Sequence, residues 1–550
     1  MKKLLTIATL LSATGLFAQK SFTRADSLRG GLRPERTNYD VNYYHLDVDV
    51  DIAGKSIKGS VEMLFTQLVP ETSQRIQIDL FRNLKITGIT DANGAPLEFQ
   101  REEDAVWVTR KVAMQAGEHF EVNVAYEGVP TEAKKAPWDG GFDWKKDDKG
   151  NPWVGVAVEG IGASLWWPNK DHLSDEPDSM RISLTVPKEL MGVSNGNLES
   201  QEELGAKTRY NWKVSYPINN YNVSLYIGKY AHFQDTYHGS EGPYDLDYYV
   251  LDYNLDKAKE QFKQVKPMFD CYEKFLGPYP FPKDGYALVE TPYLGMEHQG
   301  AIAYGNKYLN GYMGRDASFL GLKFDYIIIH ETGHEYWGNS VSMKDLADMW
   351  IHEGFCTYSE ALYVECMNGA DTALKYSNSW KFRVANDIPI IGSYGVNNEG
   401  SGDMYYKGAL MLHTLRYLVN NDELWFRTIK DIQRDFRFKT TSTDEMIRYM
   451  NGKLNKDYTA VMMQYLGKAN PPILNYQVEQ KGKNLELKIK WDDVSPDFAM
   501  PLGVTLKKEG HFDPLLITPE VQTITIPKMK AGDFKIDDQH AYYKVSRKKI

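Results

Sequence analysis

From residue 40 to about residue 235, apolar and polar positions alternate with a period of two. Leu46, Val48, Val50 and Ile52 alternate with Asp47, Asp49 and Asp51, the pattern of a strand with one face in water. Similar runs recur at Ile76 to Leu80, Phe120 to Tyr126, Arg181 to Val186 and Val223 to Ile227. Turn-forming segments such as Asp91-Ala-Asn-Gly94 and Asn195-Gly-Asn197 separate them, so this half is expected to be a large β domain. Near residue 255 the period changes. Phe262, Val265, Phe269, Tyr272 and Leu276 mark one helical face, with Pro267 starting or kinking its second part. Helical patterns then run to about residue 465, interrupted by a strand-like Tyr286 to Glu290. From Pro471 strands return, as in Leu485 to Trp491 and Val521 to Ile526, and the last part of the chain reads as a small β-sandwich.

At 550 residues the chain exceeds what one core can organise, which predicts roughly three to four units. The net charge of −10 and the absence of a basic stripe argue against nucleic acid as a partner. Lys2, Lys3 and the apolar stretch Leu4 to Phe17 read as a signal peptide, with cleavage after Ala18. No cysteine follows that point to carry a lipid, and no later stretch is apolar enough to span a bilayer, so a periplasmic or secreted protein is expected. The three cysteines are read as buried thiols, and no effect of reductant is expected. Cys356 and Cys366 stand ten residues apart on one predicted helix, too far along its axis to bridge.

The decisive segment is His330-Glu-Thr-Gly-His334. On a helix, residues four apart share a face about 6 Å apart along the axis, so both imidazoles can reach one ion. Glu331 projects roughly 100° round the helix, where a base beside an open metal position belongs. Chance alone would produce such a motif in about one or two per cent of chains like this one. A third ligand candidate, Glu353, follows after eighteen residues inside Trp350-Ile-His-Glu-Gly-Phe355; the neighbouring His352 would point about 100° away. Two histidines and one carboxylate leave a fourth position for water, which marks a catalytic rather than a structural zinc.

From His330 through Glu353 the chain resembles the aminopeptidase N family of zinc peptidases, which includes leukotriene hydrolase. Glu335-Tyr-Trp-Gly-Asn339 matches the family's usual continuation. The resemblance implies one zinc ion per chain on His330, His334 and Glu353, with Glu331 as general base. Upstream, Leu294-Gly-Met-Glu-His298 matches the family's G-x-M-E-N, with Leu294 and His298 as departures. By that match Gly295, Met296 and Glu297 border the substrate, and Glu297 binds its free α-ammonium. Glu159, in Val158-Glu-Gly-Ile161, falls where the family has a second polar residue for the same amine. Asp403-Met-Tyr-Tyr-Lys-Gly408 carries the family's Tyr-x-Lys-Gly, which assigns Tyr405 to the developing oxyanion, with Tyr406 as the alternative.

The implied architecture is a multidomain α+β chain. It comprises a signal peptide (1–18), an N-terminal β-saddle domain (19–240), a thermolysin-like α/β zinc catalytic domain (241–465) and a short C-terminal β-sandwich (466–550). The implied activity is removal of single residues from peptides with a free N-terminus. The alternatives are a thermolysin-type endopeptidase, which has no need of Glu297, and a non-catalytic zinc-bearing peptide binder, which has no need of Glu331.

Overall fold

The structure is a computed structural model that describes residues 21–70, 74–316, 318–507, 511–546, 548 and 550. The leader segment Lys2 to Ala18 lies outside the described residues.

The N-terminal part is built on a seven-stranded sheet in which the strand Tyr39–Asp51 lies between Ser56–Gln67 and Ser179–Pro187. Its alternation is realised: Leu46, Val48 and Val50 are fully buried while the intervening aspartates reach the surface. Sheets of four and three strands pack with it around one core. One expected strand is shorter than the pattern suggests. Val223 to Leu225 form no ladder, and the strand runs over Tyr226–Gly228 alone. The buried Asn195 side chain instead accepts from the Ser224 N–H at 2.8 Å and donates to the Asn222 carbonyl at 2.9 Å. Those backbone groups are satisfied without a neighbouring strand.

The second part starts from a five-stranded sheet ordered Tyr230–Gly239, Gly242–Leu251, Tyr286–Glu290, Ile302–Tyr304 and Gly295–Met296. The boundary expected near 240 therefore falls in the turn of a hairpin whose two strands both belong to this sheet. Successive residues of Tyr286–Glu290 are buried on opposite faces, which is why the run reads as continuously apolar. Tyr286 and Leu288 pack with the helices, whereas Ala287 and Val289 join the N-terminal core. This sheet is thus the shared wall between the two parts, and its edge strand Gly295–Met296 stands at their junction. The helical face around Phe269 begins as a short 3-10 turn, Phe262–Gln264, and continues as Val265–Phe275 with Pro267 in its first turn.

Two helices form the centre of this part: a first site helix, Tyr326–Tyr336, and a second, Trp350–Asn368. C-terminal to them, strands make a four-stranded sheet and a two-stranded hairpin. Leu474, Leu487 and Trp491 share the core of the two site helices, so this β region does not bury a core of its own. Among the described residues no helix is long and apolar enough to cross a membrane.

The reading of three free thiols is overturned. Cys271 and Cys366 form a disulfide across 95 residues, with Cα atoms 5.8 Å apart, and only Cys356 remains a buried thiol. Spacing along one helix excluded only the Cys356–Cys366 pair. Cys271 lies on Val265–Phe275, which packs beside the second site helix and brings the two sulfurs together. Closing a loop of this length is worth about 4 to 5 kcal/mol in the chain-entropy picture, with measured values typically about 2 to 4. Reductant or Cys271→Ser should therefore lower the thermal midpoint of the helical part. Alkylation of denatured, non-reduced protein should label Cys356 alone; labelling of three cysteines would show that the bridge is absent.

Candidate metal centre and catalytic cleft

Asp325 caps the first site helix, its carboxylate accepting from the Ile327 N–H at 3.1 Å. His330 and His334 follow on one face, and their environment dictates which nitrogen each presents. Glu360 lies 2.8 Å from His330 Nδ1 and the Trp337 carbonyl 2.9 Å from His334 Nδ1. A carboxylate and a carbonyl can only accept, so both Nδ1 atoms carry a hydrogen and Nε2 is the nitrogen each ring turns toward Glu353. Those two Nε2 atoms are 3.3 Å apart, and Glu353 Oε2 lies 3.5 and 3.4 Å from them. Glu353 Oε2 is buried with no hydrogen-bond donor among the described residues. Two ring nitrogens and one carboxylate oxygen therefore converge on one point.

This arrangement fits zinc. Ligand bonds of about 2.0 to 2.1 Å at tetrahedral angles hold donor atoms about 3.3 to 3.4 Å apart. His352 is turned elsewhere: its Nε2 accepts from the Met343 N–H at 2.8 Å, and burial lowers its pKa to about 3, which keeps it neutral. Cys356 sits near both rings, but its thiol donates to the His330 carbonyl at 2.9 Å. Glu360, which spacing arguments missed, is fully buried and also accepts from Tyr376 OH at 2.7 Å. Its position two turns after Glu353 on the same helical face was the available signal.

Glu331 faces the cavity across from Gly295. A Cβ on Gly295 would stand 2.5 Å from Glu331 Oε1, so the glycine makes room for this carboxylate. Burial, opposed by the two histidines, raises the Glu331 pKa to about 7. The edge strand that ends at Met296 delivers Glu297 into the same cavity. Its Oε1 accepts from Tyr221 OH at 3.1 Å, and its backbone carbonyl accepts from Asn339 Nδ2 at 2.8 Å. Asn339, which closes Trp337-Gly-Asn339, thus positions the preceding cavity wall. His298, one of the departures, points away from the cavity to the Tyr226 hydroxyl, and Leu294 is buried in the helical core.

Glu159 comes from the N-terminal part, on the turn after Pro152–Ala157, and also lines the cavity. Burial first and Glu297 second push its carboxyl well above the usual range. Its Oε1 has no partner, and no lysine or arginine pairs with either carboxylate among the described residues.

Tyr405 lines the cavity with its ring centroid 6.2 Å from that of His330. Tyr406 turns outward, its hydroxyl accepting from Arg383 Nη1 at 2.9 Å. Close helix packing brings Tyr405 in. A Cβ on Gly408 would lie 3.1 Å from Gly354 Cα, so the helix Tyr406–Val419 can meet the second site helix backbone to backbone. Lys407 fastens the same turn by donating to the Lys468 and Ala469 carbonyls at 3.0 and 2.8 Å.

Residues 253–465 match the family described as "Peptidase family M1 domain". The chain is 23% identical over 473 residues to a leucyl aminopeptidase of Saccharolobus solfataricus, covering 81% of this chain and 56% of that protein. It is 25% identical over 329 residues to the glutamyl aminopeptidase of Sus scrofa, covering 55% and 34%. The chain thus spans between about a third and three-fifths of the length of such curated relatives. Among solved structures, a mutant M1 zinc metallopeptidase of Deinococcus radiodurans bound to a Tyr-Ser-Ala substrate superposes with a TM-score of 0.65 at 20% identity. That match covers 79% of this chain and 96% of the other, and it shows the shared fold.

The role of Glu360 is directly testable. Removing the carboxylate that orients a ligating imidazole typically weakens metal binding about ten- to a hundredfold. Glu360→Ala should show that loss in a competitive chelator titration, with Glu360→Gln intermediate. Unchanged metal affinity in both variants would reduce Glu360 to a packing residue.

Proposed function

Since residues 253–465 belong to peptidase family M1, we propose that this chain is a zinc aminopeptidase that hydrolyses the first peptide bond of substrates with a free α-amine. One observation carries the reading. Glu297 and Glu159, two carboxylates with no cationic partner, share a cavity with the acceptor triad His330, His334 and Glu353. A substrate α-ammonium supplies the positive charge that this pair lacks, and a blocked amine leaves it unpaired.

His330, His334 and Glu353 would hold the zinc. Bound there, zinc supplies Lewis acidity that polarises a carbonyl and lowers the pKa of water. Glu331 Oε takes a proton from the attacking water and delivers it to the leaving amine as the C–N bond breaks. The Tyr405 hydroxyl donates to the carbonyl oxygen as charge builds on it. Glu297 and Glu159 fix the amino end, so that only the first peptide bond reaches Glu331. We also infer export. Lys2 to Ala18 support it, and so does the Cys271–Cys366 bridge, which persists in oxidising compartments. An N-terminus at or near Gln19 in the native protein is the corresponding mass-spectrometric signature.

The deciding measurement compares kcat/KM for free and N-acetylated forms of one peptide. A charge-assisted contact to a partly desolvated ammonium is worth about 1.5 to 3 kcal/mol. Glu297→Ala should accordingly raise KM for the free peptide about ten- to a hundredfold, leave bound metal intact, and change little for the acetylated form. In the same series Tyr405→Phe should lower kcat on the order of 10² to 10³-fold, and Tyr406→Phe much less. Equal cleavage of both peptide forms by the unsubstituted enzyme would favour the endopeptidase alternative.

A further inference from the structure

One short segment of the N-terminal part, Asn219 and the 3-10 turn Asn220–Asn222 that follows it, reaches Glu297 from behind the cavity wall. All four of its side chains are buried. Three of them cross into the helical part. Asn219 Nδ2 donates to the Gly338 carbonyl at 3.1 Å, and Asn222 Nδ2 donates to Asn339 Oδ1 at 2.6 Å. Asn339 in turn donates to the Glu297 carbonyl, so these contacts fix the backbone on which Glu297 stands. Tyr221, between them, reaches the Glu297 carboxylate itself, with its hydroxyl 3.1 Å from Oε1.

The same hydroxyl lies 3.4 Å from His352 Nδ1, and the two rings stack at 26° with centroids 6.4 Å apart. The direction of every hydrogen in this chain follows from its far end. The Met343 N–H can only donate, so His352 Nε2, 2.8 Å away, accepts and carries no hydrogen. A neutral imidazole keeps one hydrogen, which is then on Nδ1 and points to the Tyr221 oxygen. Tyr221 has a single hydrogen of its own, and Glu297 Oε1 receives it. The hydrogen bonds thus run one way, from the backbone at Met343 through His352 and Tyr221 to Glu297.

His352 is therefore more than a histidine turned away from the metal. It supplies a hydrogen to the Tyr221 oxygen, which leaves the Tyr221 hydrogen no competing acceptor in this chain. Each link strengthens the next, because a hydroxyl that accepts one hydrogen bond is a better donor of another.

We propose that Tyr221 and His352 are positioning residues for the substrate's amino end, acting through Glu297 by setting the orientation of its carboxylate. This rests on the reading of Glu297 as the group that binds the α-ammonium. Without the Tyr221 hydroxyl, Glu297 Oε1 loses a buried donor and the carboxylate is free to turn from the position that meets the ammonium. His352 stands one link farther back, so its loss should be felt more weakly and only while Tyr221 is present.

The test uses the full-length zinc-loaded enzyme with one free-amine peptide and its N-acetylated form. Tyr221→Phe should raise KM for the free peptide about three- to thirtyfold, with kcat changed less than KM. His352→Leu should raise KM about two- to fivefold, and the double substitution should be no worse than Tyr221→Phe alone. In a Glu297→Ala background neither substitution should raise KM further. A competitive chelator titration should show Tyr221→Phe binding metal as tightly as the unsubstituted enzyme. An unchanged KM in Tyr221→Phe, losses that add to that of Glu297→Ala, or a loss explained by weakened metal binding overturns this inference alone. If Tyr221→Phe does not fold, His352→Leu and Glu297→Ala complete the same cycle, and additive losses there overturn it. Equal cleavage of the free and acetylated peptides by the unsubstituted enzyme overturns the aminopeptidase reading and this inference with it.

Discussion

His330 Nε2, His334 Nε2 and Glu353 Oε2 face one another within 3.5 Å. Three such atoms this close in a buried site need a shared positive charge, because water is not there to solvate each one separately. A dication supplies that charge, and the rest of the centre follows from that need. Glu360 and the Trp337 carbonyl take the Nδ1 hydrogens and leave Nε2 free. His352 and Cys356, the other possible donors nearby, are engaged by backbone groups. The fold thus chooses among chemically similar side chains by deciding where each one's hydrogen bonds go.

The same electrostatic accounting extends across the cavity. Glu297 and Glu159 are kept close without a cation, at a cost visible in the raised pKa of Glu159. A structural role would be served better by an ion pair or an amide in either place. The proposed role for an α-ammonium rests on this pair of carboxyl groups, which no lysine or arginine accompanies in the cavity.

The architecture makes this convergence possible by using one sheet as a wall for two cores. Residues of Tyr286–Glu290 alternate between the helical and the N-terminal sides. Its edge strand therefore ends between the helices that carry the acceptor triad and the turn that carries Glu159. Tyr221, from the N-terminal part, contacts Glu297 directly. A shift of one part against the other would pull Glu297 and Glu159 apart while leaving the triad intact, since all three of its members lie on the two site helices.

Local pattern was sufficient where the physics is local. The period-two run at Leu46 to Ile52 and the helical spacing of His330 and His334 are properties of a few consecutive residues, and both hold in the structure. The strand at Val223 was misread because a distant side chain, Asn195, satisfies the backbone that a neighbouring strand would have paired. The disulfide was missed for the same kind of reason: Cys271 and Cys366 are 95 residues apart and meet only when two helices pack. The sequence could propose Tyr405 and Tyr406 as alternatives, but only the backbone contact of Gly354 with Gly408 turns one into the cavity and the other toward Arg383. Element type and the pairing of His330 with His334 on one helical face are therefore written in short-range spacing. Which groups share the cavity, and with what protonation and charge, depends on long-range packing that no window along the chain contains.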